Sequence, residues 1–363
     1  MKATRFTIRL LFLSATLFFL SECSDETGGF DDVENVENSN GEQCKVTNGW
    51  LIAANDVVGG GTGKDGIPSL ESPKYVSISE VDFLEENDLA VGVEINGQVK
   101  VFPHRILDRH EIVNDHIGDT FFSLTFCPLT GSSVAINREE NSSVGVSGLL
   151  HNSNLIYYSR EDDSFWSQMK LVSVRGNLVC EKPDTRRTLE MTWNSWKKCF
   201  PDLEVLSINT GFDRNYTISS FSRAIQKNNV PLWPYSPKDS RLRNYDKVFV
   251  LFEGKIPKAY PMERFTSKSS ILRDNILGRD IILAGNSETE LVAAYYAQGL
   301  ENYEIKTVNS LPAIVAGSKS WNLFGRALSN GFDDLEVPDS YMAYWFSVGA
   351  MFPQIEIFDA NGD

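Results

Sequence analysis

The residues with the most chemical potential lie in one short stretch, FFSLTFCPLTGSS at 121–133. Cys127 ends an apolar, strand-like run and is followed at once by Pro128. This is the first half of a Cys-Pro-x-Cys redox motif, but Thr130 stands where the second thiol would be. A cysteine here is a nucleophile, a metal ligand or a small core residue. Nucleophilic chemistry needs a thiolate, and a neighbouring imidazole either lowers the thiol pKa or takes its proton. The core role is the simplest reading, because free cysteine is among the most buried residue types.

All four histidines, His104, His110, His116 and His151, fall within the same half of the chain as Cys127. A hairpin of 110–113 and 120–126, turning over Asn114 to Asp119, pairs Val113 with Thr120 and sets His110 opposite Ser123. Strand alternation then directs Phe122, Leu124 and Phe126 to one face, and Ser123, Thr125 and Cys127 to the other. His110 shares the second face with Cys127, although about 13 Å of straight strand separates Ser123 from the thiol. Contact requires a bend before Pro128. His110, Cys127 and His151 also supply two imidazoles and a thiolate, a soft donor set for copper or zinc. No compact metal-binding pattern accompanies them. Two further motifs fail on inspection. GGGTGKDG at 59–66 lacks the first glycine and the Ser or Thr of a phosphate-binding loop. GVSGL at 145–149 lacks the last glycine of a nucleophile elbow.

The elements around these residues repeat. NDLAVGVEINGQVKVFPHRIL (87–107) echoes YDKVFVLFEGKIPKAYPMERF (245–265), and later segments follow at an offset of about 152–158 residues. Trp166, Trp193 and Pro201 thereby meet Trp321, Trp345 and Pro353, and the tryptophans read as core. Cys127 meets Asn286 or its neighbour. The strands are short, alternating and bounded by Gly, Asn or Asp. The expected fold is mainly antiparallel β with a few short helices, built as two pseudo-repeated units. The first unit spans 49–215 and carries the candidate site. The second spans 235–360 and has lost the reactive residues.

With 363 residues and 42% hydrophobic content, the chain can bury a substantial core. A net charge of -15 without any basic run excludes a phosphate-binding surface, so no nucleic acid is expected as a partner. The N-terminus has Lys2, Arg5 and Arg9 before an apolar stretch from Leu10 to Leu20, and then Cys23. This reads as a signal peptide over 1–22. Cys23 becomes the lipidated first residue of an exported bacterial outer-membrane lipoprotein, surface-exposed or periplasmic, held to the membrane by acyl chains. Glu22 departs from the usual small residue before such a cysteine. The acidic stretch 23–48 reads as a disordered tether. Export permits disulfides. Cys180 and Cys199 are the expected pair; Cys127 then stays free unless Cys44 pairs with it as a second bond.

The motifs GKDGIPSLESPKY, HEIVND, TFCPLTGSS, SGLL, SFWSQ and W-SWK-FPD, in this order, resemble a bacterial family known as domain of unknown function 3179. The resemblance covers about residues 50–360. Similar members carry Cys-Pro-Leu-Cys where this chain has Cys127-Pro128-Leu129-Thr130, and some carry selenocysteine there. The resemblance therefore implies thiol or selenol redox chemistry. The matching positions include Asp65, His110, Glu111, Asn114, Asp115, Cys127, Pro128, Ser147, Asn152, Ser153, Trp166 and Gln168. On this reading Cys127 is the nucleophile and His110 tunes it. Glu111, Asn114 and Asp115 shape the site. Amides from Pro128 to Gly131 cradle developing charge. The Thr130 departure requires an outside thiol, disulfide or protein partner, or Cys44, to complete a redox cycle. The alternative is a non-catalytic lipoprotein that binds a metal, glycan or protein.

Overall fold

The computed structural model describes residues 32–219, 229–297, 299, 301–328 and 331–359. The signal segment 1–22 and the lipidation residue Cys23 lie outside the described residues. Among the described residues no helix is long and apolar enough to cross a membrane.

The fold is mainly antiparallel β, with short α-helices at His104–His110, Trp193–Cys199 and Trp345–Met351. The duplication read from the sequence is visible in the topology. In the first half, Leu89–Ile95 pairs antiparallel with Gln98–Pro103 on one side and Thr188–Thr192 on the other, and Glu204–Leu206 joins Gln98–Pro103 in parallel. In the second half, Lys247–Glu253, Ile256–Pro261, Ser340–Tyr344 and Glu356–Ile357 repeat the same order and the same parallel join. The turns explain why these hairpins form. Asn96 and Gly97 both take positive φ, as a type I′ turn demands, whereas Gly254 alone does so in the second copy, as in a type II′ turn.

The two halves are built around common cores. Val101, Leu189 and Trp196 pack with Ile282, Tyr295 and Trp321. Cys127, Tyr157 and Trp166 pack with Val250, Tyr341 and Trp345. The paired tryptophans are buried in both halves.

Three expectations are corrected. The stretch 33–47 is not a disordered tether: Val33–Glu37 and Gln43–Thr47 form a hairpin with Val33 opposite Thr47. Its acidic side chains point outward, while Val46 is buried and the tip binds Glu181 through Ser39. The disulfide joins Cys44 to Cys180, with a sequence separation of 136, and both Cys127 and Cys199 are free. Cys180 lies in a loop hydrogen-bonded to Ser173, whereas Cys199 ends the helix beneath the Leu89–Ile95 sheet, so proximity in sequence misleads. Finally, the hairpin carrying the candidate site turns at Gly118 and Asp119, and Val113 pairs with Leu124 rather than Thr120. The shift is four residues, an even number, so the faces survive: Phe122, Leu124 and Phe126 face one core and Cys127 faces the other.

The segment Ser147-Gly148 marks a bulge in the strand Val144–His151. Gly148 has φ +77, and a Cβ there would come within 2.2 Å of the Thr62 carbonyl oxygen. Gly148→Ala is expected to lower stability by about 2–4 kcal/mol, from left-handed strain plus backbone overlap. Gly63→Ala, with open space around its Cβ position, should change little. Denaturant midpoints of the two variants test this.

Candidate functional site

Cys127 closes the strand Thr120–Cys127, and the Pro128–Gly131 turn returns the chain so that Ser132 pairs with Cys127. Gly131 makes this turn possible with φ +61, and the Tyr344 ring covers it from the second half. The thiol is 1% exposed. It donates to the Ser153 carbonyl at 3.7 Å. Asn152 and Ser153 both have positive φ and form the two-residue turn between His151 and Asn154. That turn is clamped from the linker and the second half: Ser153 Oγ donates to the Trp233 carbonyl at 2.9 Å, and Ser347 Oγ donates to the Asn152 carbonyl at 2.8 Å.

Beneath Cys127 lies a buried neutral network. Asn154 Nδ2 donates to Thr130 Oγ1 at 3.0 Å and to Gln168 Oε1 at 2.8 Å, and Ser132 Oγ donates to Gln168 Oε1 at 2.7 Å. Gln168 Nε2 donates to Thr125 Oγ1 at 3.0 Å. Thr130, in the position of a second thiol, is thus tied into a hydrogen-bonded frame. Its replacement would leave buried amides short of partners.

Glu111 is the group whose charge reaches Cys127. It caps the helix His104–His110 with φ 58, in the left-handed region that a non-glycine residue rarely occupies. Its N–H donates to the Leu107 carbonyl and its carbonyl accepts from Phe126 N–H at 2.6 Å, which fixes it beside the strand end. The half-buried Glu111 has no hydrogen-bond partner for its carboxyl among the described residues. Burial, and then the charge of Asp108, push that carboxyl up to about 8. Burial, and then Glu111, push the Cys127 thiol up to about 11, while hydrogen bonds from Thr130 and the Leu155 backbone pull the other way. A carboxyl raised this far is held largely protonated at neutral pH and ionises above it, within electrostatic reach of the thiol.

His110 does not serve Cys127. It ends the helix rather than starting the strand, and both ring nitrogens are engaged, at 2.8 Å to the Pro68 carbonyl and 2.7 Å to the Tyr216 hydroxyl. Burial lowers its pKa, so the ring is a neutral structural clamp. Asn114 and Asp115 are equally committed. Asn114 binds Glu71, Ser123 and both backbone groups of Val144. Asp115 takes the Lys100 ammonium at 2.8 Å, and Lys258 with Asp274 repeats this pair at 2.7 Å in the second half. The copper or zinc set is corrected too. His151 is buried at a strand end with Nδ1 unpartnered, its pKa brought down to about 4 by burial and by Lys170. Among the described residues no group of three or more His, Cys, Asp and Glu side chains converges as a metal site.

Sequence reasoning missed a buried charged cluster shared by the halves. Glu190 lies 3.1 Å from His104 Nε2, close but not aligned as a hydrogen bond, and 3.0 Å from Lys247 Nζ, which also pairs with Glu290. The His104 ring rests on Phe126, one residue before Cys127, with centroids 4.5 Å apart. The sequence carried no signal for it: Glu190 alternates with Leu189 and Met191 in TLEMT as a solvent-facing residue would, yet it is buried.

Together these features define a duplicated β protein with a covered thiol and a nearby carboxyl of raised pKa, where the two halves meet. The family described as a protein of unknown function, DUF3179, matches residues 64–355, and the chain belongs to it. No curated protein and no solved structure matches the chain.

Proposed function

We propose that this is an exported, lipid-anchored thiol redox protein in which Cys127 is the nucleophile and Glu111 its proton acceptor. The signal-like N-terminus and Cys23 support the anchoring, with the membrane as partner through the lipid. One observation carries the chemistry: Glu111, in a strained backbone conformation and tied through its carbonyl to Phe126 N–H, holds a carboxyl pushed up to about 8 whose charge reaches the Cys127 thiol. Strained residues and strongly perturbed carboxyls concentrate at functional sites. In the proposed step, Cys127 gives its proton to the Glu111 carboxylate as sulfur attacks one sulfur of a partner's disulfide. That S–S bond breaks, the leaving thiolate recovers the proton from Glu111, and a mixed disulfide remains. An outside thiol resolves it, because Thr130 replaces an internal one and Cys44 is paired with Cys180.

The raised thiol pKa and its 1% exposure favour a second reading, a non-catalytic surface lipoprotein in which Cys127 is core. Treatment with a small disulfide separates the two, using a Cys199→Ser background to silence the other free thiol. The redox reading expects a reductant-reversible adduct on the Cys127 peptide under native conditions. An adduct that forms only in denaturant overturns it in favour of the second.

A further inference from the structure

A cleft of ≈ 460 Å³ opens beside the Cys44–Cys180 disulfide, and Cys127 is not among its lining residues. Leu51, Ile52, Phe252 and Phe352 give it apolar walls. Its charged lining is three lysines, Lys170, Lys182 and Lys255, against one carboxylate, Glu42. This local excess of positive charge stands out on a chain of net charge -15. Two of the lysines are already matched: Lys255 pairs with Glu42 at 2.7 Å and Lys182 pairs with Asp339. Lys170 is different. Its ammonium donates to the Met351 carbonyl at 3.3 Å and sits 5.3 Å from the centroid of the Phe352 ring, and no described carboxylate pairs with it. Burial lowers its pKa, the mark of a cation short of counter-charge.

The geometry points to a binding site for a small amphipathic carboxylate. We infer that the anionic head pairs with Lys170 Nζ and that the apolar body lies against the wall formed by the edge-to-face Phe252–Phe352 pair, Leu51 and Ile52. Pockets of this size, mostly apolar with a few convergent polar groups, are typical small-molecule sites. A carboxylate would give the half-buried ammonium a charge-assisted hydrogen bond, roughly twice as strong as a neutral one. The inference is independent of any reaction at Cys127.

Calorimetric titration of the protein with decanoate tests it, with decanol as the uncharged control and Lys170→Met as the variant. The expected result is saturable decanoate binding, weakened at least about tenfold by Lys170→Met, with decanol binding at least about tenfold more weakly than decanoate. Lys182→Met should bind as the unaltered protein does. Absence of saturable decanoate binding overturns the inference, as does equal binding of decanol. Equal decanoate affinity in a Lys170→Met protein that keeps the unaltered melting temperature also overturns it.

Discussion

Removal of the Cys44–Cys180 disulfide, as a Cys44→Ser/Cys180→Ser double variant, is expected to cost about 3–5 kcal/mol of stability. The bond closes a loop with a sequence separation of 136, so its loss enlarges the unfolded ensemble greatly. It also releases the hairpin Val33–Glu37/Gln43–Thr47, whose remaining ties to the body include Ser39 to Glu181 and Asn38 to the Cys180 carbonyl. Denaturant unfolding of the double variant should match that of the reduced native protein and fall well below that of the oxidised one. An unchanged midpoint would mean that the hairpin docks without the covalent link. Cys199→Ser serves as the control: the free, partly buried thiol at a helix end should matter far less.

Lys247→Met is expected to destabilise the fold by about 3–5 kcal/mol, because removal of one partner strands charge in the interior. Lys247 is the cation between Glu190 and Glu290, and Glu190 is 4% exposed. A Lys247→Met/Glu190→Gln double variant should recover part of the loss, since it removes the stranded charge as well. The same cluster sets a pH dependence. Burial opposes ionisation of Glu190, but Lys247 and then His104 outweigh it and hold the carboxyl down to about 2, from an ordinary 4.5. A depressed folded pKa contributes stability that is present above the unfolded value and is lost as pH falls through the folded one. Acid destabilisation between about 4.5 and about 2 should therefore shrink in Glu190→Gln. Identical acid titrations of stability in the two proteins would contradict this account of the cluster.

What the sequence made legible follows from how local each signal is. The duplication could be read because both copies keep the same hairpin lengths and tryptophans. Structure places Trp193 and Trp345 at the starts of equivalent helices. The faces of the strand Thr120–Cys127 were legible because alternation alone decides them. Its register was not. Asn114 looks like a turn residue, yet its amide serves Glu71 and Val144 inside the sheet, while Gly118 and Asp119 make the turn. The acidic hairpin was hidden because charge normally signals disorder, and only the distant Cys180 reveals that the segment is pinned. His110 misled in the same way: its partners, Pro68 and Tyr216, are remote in sequence. Glu111 was visible as a family-like position, but its role depends on a positive φ and on burial beside Cys127, neither of which its neighbours encode.

The most direct test of the central claim, that Glu111 controls the proton of Cys127, is the alkylation rate of Cys127 against pH. It is followed by peptide mass spectrometry under native conditions in the Cys199→Ser background, with and without Glu111→Gln. The account predicts a rate that rises through pH about 8 as the Glu111 carboxyl ionises. In Glu111→Gln that inflection should disappear, leaving only a rise toward the thiol's own titration. The same profile in both proteins, or labelling only after unfolding, would contradict the account and leave Cys127 a residue of the core.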